Sequence, residues 1–303
     1  VGASDSLHIQ LDGCDLADAI RGTEFLRRVA QGEDVKLRGK VVVIGGGNVA
    51  VDAAMTALRC GAVSVKMVCL EGIDEMPASS WQLKEAGAEG VEVMPSWSPA
   101  RVISTDGKVS GLDLVECACV YDDKGEFCPQ FGQTTECIPL DQLIIAVGQT
   151  TDLSFLKDGS PVKVERGLIA VSSDSLGTDA KGIYAGGDVT TAPGSIIDAI
   201  AAGRQAAASI DQALGGSGDI DVALFTRSNP DPFLGRHAGF AAWPREKMPQ
   251  LDPTTRVQGF EEIARGYRHE NAMREARRCL QCDLRLYLGC NPIPPAPWLP
   301  FDK

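Results

Sequence analysis

Histidine is scarce in this chain, with three in 303 residues, and His8, His237 and His269 fall in no cluster with carboxylates or a nucleophile. An imidazole proton relay is therefore not expected, and the three read as surface or packing residues. A basic excess is missing too. The formal net charge is -12 and the pI is near 4.8, so no positive field exists to hold nucleic acid or an anionic membrane. No run of about 18 uninterrupted apolar residues occurs, and the N-terminal stretch lacks a basic region followed by an apolar one. These absences predict a cytoplasmic protein with no membrane insertion and no nucleic-acid partner. The 10 cysteines are too sparse for a disulfide framework and read as core residues, metal ligands or redox groups. Length alone suggests about two domains.

What is present is concentrated in residues 40–52, where Lys40, Val41, Val42, Val43 and Ile44 read as a buried strand that turns through glycines into a helix. The spacing is G-x-G-x-x-A. Gly45 permits the tight turn, Gly47 lets backbone approach a pyrophosphate, and Ala50 keeps helix and strand close. The helix start at Asn48 and Val49 supplies N–H groups and the positive end of the dipole to phosphates. A second strand is predicted over residues 63–68, and Glu71 follows about 26 residues after Gly45. That is where this type of site holds an acid for the ribose hydroxyls.

Periodicity organises the rest. Residues 15–31 have helical spacing, and residues 37–147 alternate strand and helix, with Asp106-Gly107 and the 122–125 segment marking a hairpin insertion. Residues 168–171 and 182–185 read as strands, and 195–214 as an alanine-rich helix. Beyond residue 215 a helix is predicted over 261–286, followed by a proline-rich end.

Several separated motifs in one order carry a family likeness: Gly45 to Ala54 (GGGNVAVDAA), Glu75-Met76-Pro77-Ala78, Ala146-Val147-Gly148-Gln149, Ile183 to Asp188 (IYAGGD), and Glu275 to Cys282 (EARRCLQC). With these the chain resembles the small (beta) subunit of glutamate synthase and related flavin-dependent NAD(P)H oxidoreductases of the two-dinucleotide-binding class. The resemblance implies an α/β, Rossmann-like fold with a complete NAD(P)-binding domain at 37–147 and the C-terminal half of an FAD-binding domain at 148–215. Residues 1–36 are then a connector that starts on the flavin-domain crossover strand at Val1-Gly2-Ala3, and 216–303 an extension. The N-terminal iron–sulfur segment and first FAD-binding half of the family have no counterpart in these residues.

The resemblance further implies that Gly148, Gly187 and Asp188 contact FAD, and that the helix starting at Ser195 and Ile196 points its N-terminus at the flavin ring. Relatives that prefer NADPH carry an arginine pair where this chain has Leu70 and Glu71. A carboxylate there accepts from ribose hydroxyls and repels a 2′-phosphate, so NAD(H) is expected over NADP(H). The opposing reading makes Glu71 a solvated loop acid and gives the phosphate to Lys66 or another cation. Cys279, Cys282 and Cys290 supply three ligands for an iron–sulfur cluster or zinc, although cysteines three apart on a helix also pack as small apolar residues. Cys117 and Cys119 share one strand face and read as core. A C-x-x-C within the nicotinamide domain, as in thioredoxin reductases, is absent. The expected role is to pass electrons from NAD(P)H through FAD to an iron–sulfur protein or electron-accepting subunit; the alternative is a non-catalytic scaffold that retains the nucleotide fold.

Overall fold

The computed structural model describes residues 2–9, 11–157, 159–220 and 242–278. These divide into two compact units, one of the described residues up to 220 with 253–260, the other of 242–252 with 261–278.

The first unit is built on a parallel sheet. Its strands are β2 (Ala19–Arg21), β3 (Lys40–Ile44), β4 (Ser64–Val68), β5 (Val91–Met94) and β9 (Gln142–Ile145), in the order β2-β9-β3-β4-β5. Strand β3 reads KVVVI and is buried after its first residue, as a central parallel strand covered on both faces must be. On one face lie helices α1 (Gly22–Ala30), α2 (Asn48–Arg59) and α3 (Ser80–Ala88). Ala50, Ala53, Ala54 and Ala57 of α2 are wholly buried there with Val41, Val43 and Phe25, and the small side chains let the helix axis come close to the strands. On the other face an antiparallel sheet of β6 (Trp97–Thr105), β7 (Lys108–Tyr121) and β8 (Phe127–Pro139) packs Leu112, Leu114 and Ile138 onto Val42, Ile44 and Val68. The layers are therefore helix, parallel sheet and antiparallel sheet.

Strand β1 (Asp5–Ser6) pairs antiparallel with β10 (Gln149–Thr150), and β11 (Val164–Glu165) with β12 (Leu168–Ile169). A small core of Val162, Ile169, Ala180 and Val189 holds the following segment. Helix α4 (Ile196–Ala213) buries none of its residues. The short helix α5 (Pro253–Arg256) brings Arg256, itself buried, to within 3.8 Å of Glu85 and Glu89. Arg59 adds an Nη2 contact at 2.8 Å to the Glu89 carboxylate, which is fully buried. In the second unit, α6 (His269–Ala276) is tied to Glu246 by Asn271 and Arg274, and Tyr267 Oη donates to the Glu246 carbonyl oxygen.

Several expectations are corrected. Residues 15–21 are not helical; 19–21 form a strand that extends the parallel sheet beside β9, so the segment expected to be a connector contributes a strand to that sheet and, through Phe25, a side chain to its core. Residues 2–3, expected to belong to a strand, are not one; the first strand is Asp5–Ser6, paired with Gln149–Thr150. Residues 182–185 make a single bridge, Gly177 to Tyr184, where a strand was predicted. The helix predicted over 261–286 begins only at His269, because 261–268 run in extended and turn backbone that bonds back through Leu251 N to Ile263 O. Cys119 is exposed rather than core, because a register shift between Cys117 and Cys119 breaks the alternation of faces and puts Val120 in the next buried position.

Candidate functional site

The parallel strands end at one edge, and a crevice of about 630 Å3 opens there. Its floor is the turn from β3 to α2, with Gly45, Gly46, Gly47, Asn48 and Val49 all lining it. The glycines divide the work. Gly45 has φ +141°, and a Cβ there would stand 2.3 Å from the Ala146 carbonyl oxygen and 3.1 Å from Ala50 Cβ. It lets β3 pass close to β9 and α2. Gly47 has ordinary extended backbone and nothing within 4 Å of where its Cβ would be, so it leaves open space above the helix start. No side chain caps α2, which leaves its N-terminal dipole directed at that space. This is a cradle shaped for a pyrophosphate, and the residues present fit one.

Glu71 lies where the ribose acid was expected. It lines the crevice, and a Cβ on Gly46 would sit 2.7 Å from its Oε2. Its carbonyl oxygen accepts from Ser96 N at 2.9 Å, which fixes the loop after β4. Lys66, the alternative phosphate partner, is engaged elsewhere by Glu92 at 2.9 Å. Among the described residues lining the crevice there is no lysine or arginine. Beside Glu71, burial and the neighbouring carboxylate push the Cys69 thiol up to about 12, so it stays protonated.

Other lining residues escaped the motif reading. Ala78 N donates to Gly46 O at 3.0 Å and Ser79 N to Asn48 Oδ1 at 2.9 Å, so the Glu75 to Ala78 segment clasps the glycine turn and puts Pro77 on the wall. Gly148, at φ +125°, accepts from Leu7 N at 3.0 Å and brings Leu7 and His8 to the crevice wall, and Phe127 also lines it. The Glu75 to Ala78 motif itself was the available signal for the first of these; nothing in the local sequence announces the others.

The remaining expected residues gather separately. Asp188, Gly194, Ser195 and Ile196 line a shallow hollow with Ala199 and Ile200. Asp188 Oδ1 accepts from Gly194 N at 3.0 Å, which shapes the turn into α4. Ser195 caps the helix reciprocally with Asp198, and its hydroxyl holds the Asp198 carboxyl below the usual range. Gly187, at φ +76°, packs against Ala199, close enough that a Cβ would meet it at 3.4 Å. The hollow offers part of a wall to an isoalloxazine or ribityl chain, and the donor set, a carboxylate beside a helix N-terminus, suits one. Cys279, Cys282 and Cys290 lie outside the described residues. Among the described residues no cluster of His, Cys, Asp or Glu is arranged to hold a metal, and no helix is long and apolar enough to cross a membrane.

A parallel sheet with a glycine turn at its carboxyl edge, an acid after the next strand and an antiparallel sheet on its back define a dinucleotide-binding α/β domain of the reductase type. The chain belongs to the pyridine nucleotide-disulphide oxidoreductase family, whose sequence profile matches residues 1–206. It is 34% identical over 275 residues to the NADP(+)-dependent formate dehydrogenase subunit beta of Moorella thermoacetica, covering 87% of this chain and 38% of that protein. It is 30% identical over 239 residues to the glutamate synthase [NADPH] small chain of Azospirillum brasilense, covering 74% of this chain and 49% of the relative. The resemblance to glutamate synthase small subunits is thereby borne out. This chain spans less than half the length of either relative. Both of those names carry the phosphorylated nucleotide, in contrast to the preference expected from Glu71. Among solved structures, Mycobacterium tuberculosis FprA in complex with NADPH matches with a TM-score of 0.57 at 17% identity, covering 71% of this chain and 63% of that one. That likeness establishes the fold.

Proposed function

We propose that this chain is the nicotinamide-nucleotide module of a flavin-dependent NAD(P)H oxidoreductase, that it takes NADH in preference to NADPH, and that it delivers electrons to an iron–sulfur protein or partner subunit. The observation that carries the reading is the carboxylate of Glu71 leaning over Gly46 in a crevice whose floor is a glycine turn. A carboxylate there accepts two ribose hydroxyls. Against a 2′-phosphate at 4 Å it would cost about 4 kcal/mol per unit of phosphate charge at an effective dielectric of 20. No arginine or lysine among the described lining residues offsets that cost.

The chain's own contribution is positional. The α2 N-terminus and Gly47 hold the pyrophosphate, Glu71 the adenosine ribose, and the wall at Ala146 and Gly148 sets the depth of the nicotinamide end. The flavin, when bound, supplies the hydride acceptor and the means of passing electrons on. Asp188 and the Ser195-capped start of α4 would hold its ribityl and ring, and Gly187 lets α4 approach. Ile196 and Ile197, 80% and 72% exposed, form an apolar face on which the remainder of a flavin domain would seat. Cys279, Cys282 and Cys290 are retained as candidate cluster ligands from their spacing alone. The test is anaerobic addition of NADH or NADPH to the flavin-loaded full-length protein while following flavin absorbance. Bleaching that is faster and half-saturates lower with NADH supports the reading. Bleaching by NADPH at equal or lower concentration overturns the preference, and no bleaching by either overturns the oxidoreductase role.

A further inference from the structure

Strand β7 crosses the parallel sheet at a slant. Near its start it lies by the amino end of β9, where Leu140 N donates to Ser110 O at 3.4 Å. By Cys117 it has reached the carboxyl ends of β4 and β5. There Cys117 N donates to Ser96 O at 2.8 Å, Ser96 N to Glu71 O at 2.9 Å and Trp97 N to Cys69 O at 2.8 Å. Burial raises the Cys117 thiol, and the nearby carboxylates of Glu71 and Glu75 raise it further.

Strand β6 reaches no further than Trp97, which faces Glu116, and from there β7 runs on with β8 alone. Cys117 faces Phe131, Cys119 faces Gln130 and Tyr121 faces Phe127. The arm so formed is roughly 13 Å long at strand rise. It is rooted beside Glu71, and the slant of β7 has by then carried it away from β9 and from the Ala146 to Gly148 wall that follows β9. Phe127, next to its tip, lines the crevice although the residue is 64% exposed. Tyr121 stands edge-on to that ring at 6.3 Å between centroids and holds its orientation.

We infer that Phe127, carried on the β7–β8 arm, is the aromatic platform for the adenine ring of the bound dinucleotide. The inference rests on the nucleotide reading above, in which Glu71 holds the adenosine ribose. The base attached to that ribose is the planar group of the ligand nearest the root of the arm. An exposed phenyl ring at a crevice wall offers it a face, and stacking of a base on an aromatic face needs no hydrogen-bonding partner.

The test is calorimetric titration of the full chain with NADH and with ADP-ribose, which keeps the adenosine and pyrophosphate but lacks nicotinamide. In Phe127→Ala both affinities should fall about five-fold or more, and by the same factor, in keeping with the loss of one base-stacking contact that the two ligands share. Phe127→Tyr should restore both, whereas Phe127→Leu, which keeps apolar bulk without a ring, should not. Phe131→Ala removes an exposed arm residue that does not line the crevice and should leave both ligands unaffected. Weakening of NADH alone would put the ring at the nicotinamide end and overturn the inference. So would no weakening of either ligand, restoration by leucine, or an equal loss in Phe131→Ala. If wild type binds NADH and not ADP-ribose, the adenine contact fails while a nicotinamide site stands; if it binds neither, the nucleotide reading itself has failed.

Discussion

Two substitutions in one turn separate what the glycines do for the fold from what they do for a ligand. Gly45→Ala forces a methyl group to 2.3 Å from the Ala146 carbonyl oxygen at φ +141°. The backbone conformation costs about 1–3 kcal/mol for a residue with a side chain. Parting β3 from β9 to relieve the clash adds about 1–3 kcal/mol. A loss of roughly 2–6 kcal/mol is large against a typical domain stability of about 5–15 kcal/mol. Gly47→Ser is the opposite case. Its φ of -93° and ψ of 175° suit serine, no atom lies within 4 Å, and serine is a good residue to begin a helix. Stability should change by no more than about 0.5 kcal/mol. The new side chain nevertheless occupies the space above the α2 N-terminus, so NADH affinity should fall at least about ten-fold, or ~1.4 kcal/mol. Urea denaturation with calorimetric titration reads both quantities. A Gly47→Ser protein that binds NADH as well as wild type would refute the phosphate cradle, and a fully stable Gly45→Ala would refute the packing role given to Gly45.

Other consequences can be checked in the same way. Glu71→Arg should weaken NADH and strengthen NADPH, inverting the ratio of their dissociation constants, because the repulsive charge becomes an attractive one that can pair bidentately with phosphate. Glu89→Ala removes the fully buried carboxylate that Arg59 and Arg256 share, and should destabilise the first unit by about 3–5 kcal/mol in urea. Cys69 gives a pH dependence of definite sign. Its folded pKa of about 12 lies above its unfolded value near 9, so the unfolded chain binds fewer protons between those limits and stability declines as pH rises through them. The decline is about 1.4 kcal/mol per pH unit at most, and it should be absent from the difference when Cys69→Ala is compared with wild type below pH 8.

How much of this was legible depended on whether the signal was local. Strand β3, the turn and α2 were readable because a buried parallel strand and an alanine-faced helix carry their environment in five and twelve residues. Ser195 was readable as the start of α4 because its reciprocal cap with Asp198 is itself a local pattern. Strand β2 was not, since three residues reading AIR beside a helix carry no period of their own and become strand only by pairing with β9. Phe127 and Leu7 were missed for the same reason. They reach the crevice through the overhang of β7 and the turn at Gly148, and both are set by tertiary pairing. Cys119 misled because a period of two places it with Cys117, whereas the register shift between them is set by pairing with β8 and turns Val120 inward instead.

The central claim is that this chain holds a nicotinamide dinucleotide across the glycine turn with its adenosine ribose on Glu71. Titration of the purified chain with NADH and with NADPH at equal ionic strength tests it most directly. The account predicts saturable one-site binding of NADH and at least about ten-fold weaker NADPH, a gap of ~1.4 kcal/mol. Equal or tighter NADPH would contradict the role of Glu71, and binding of neither would contradict the oxidoreductase reading in favour of a scaffold.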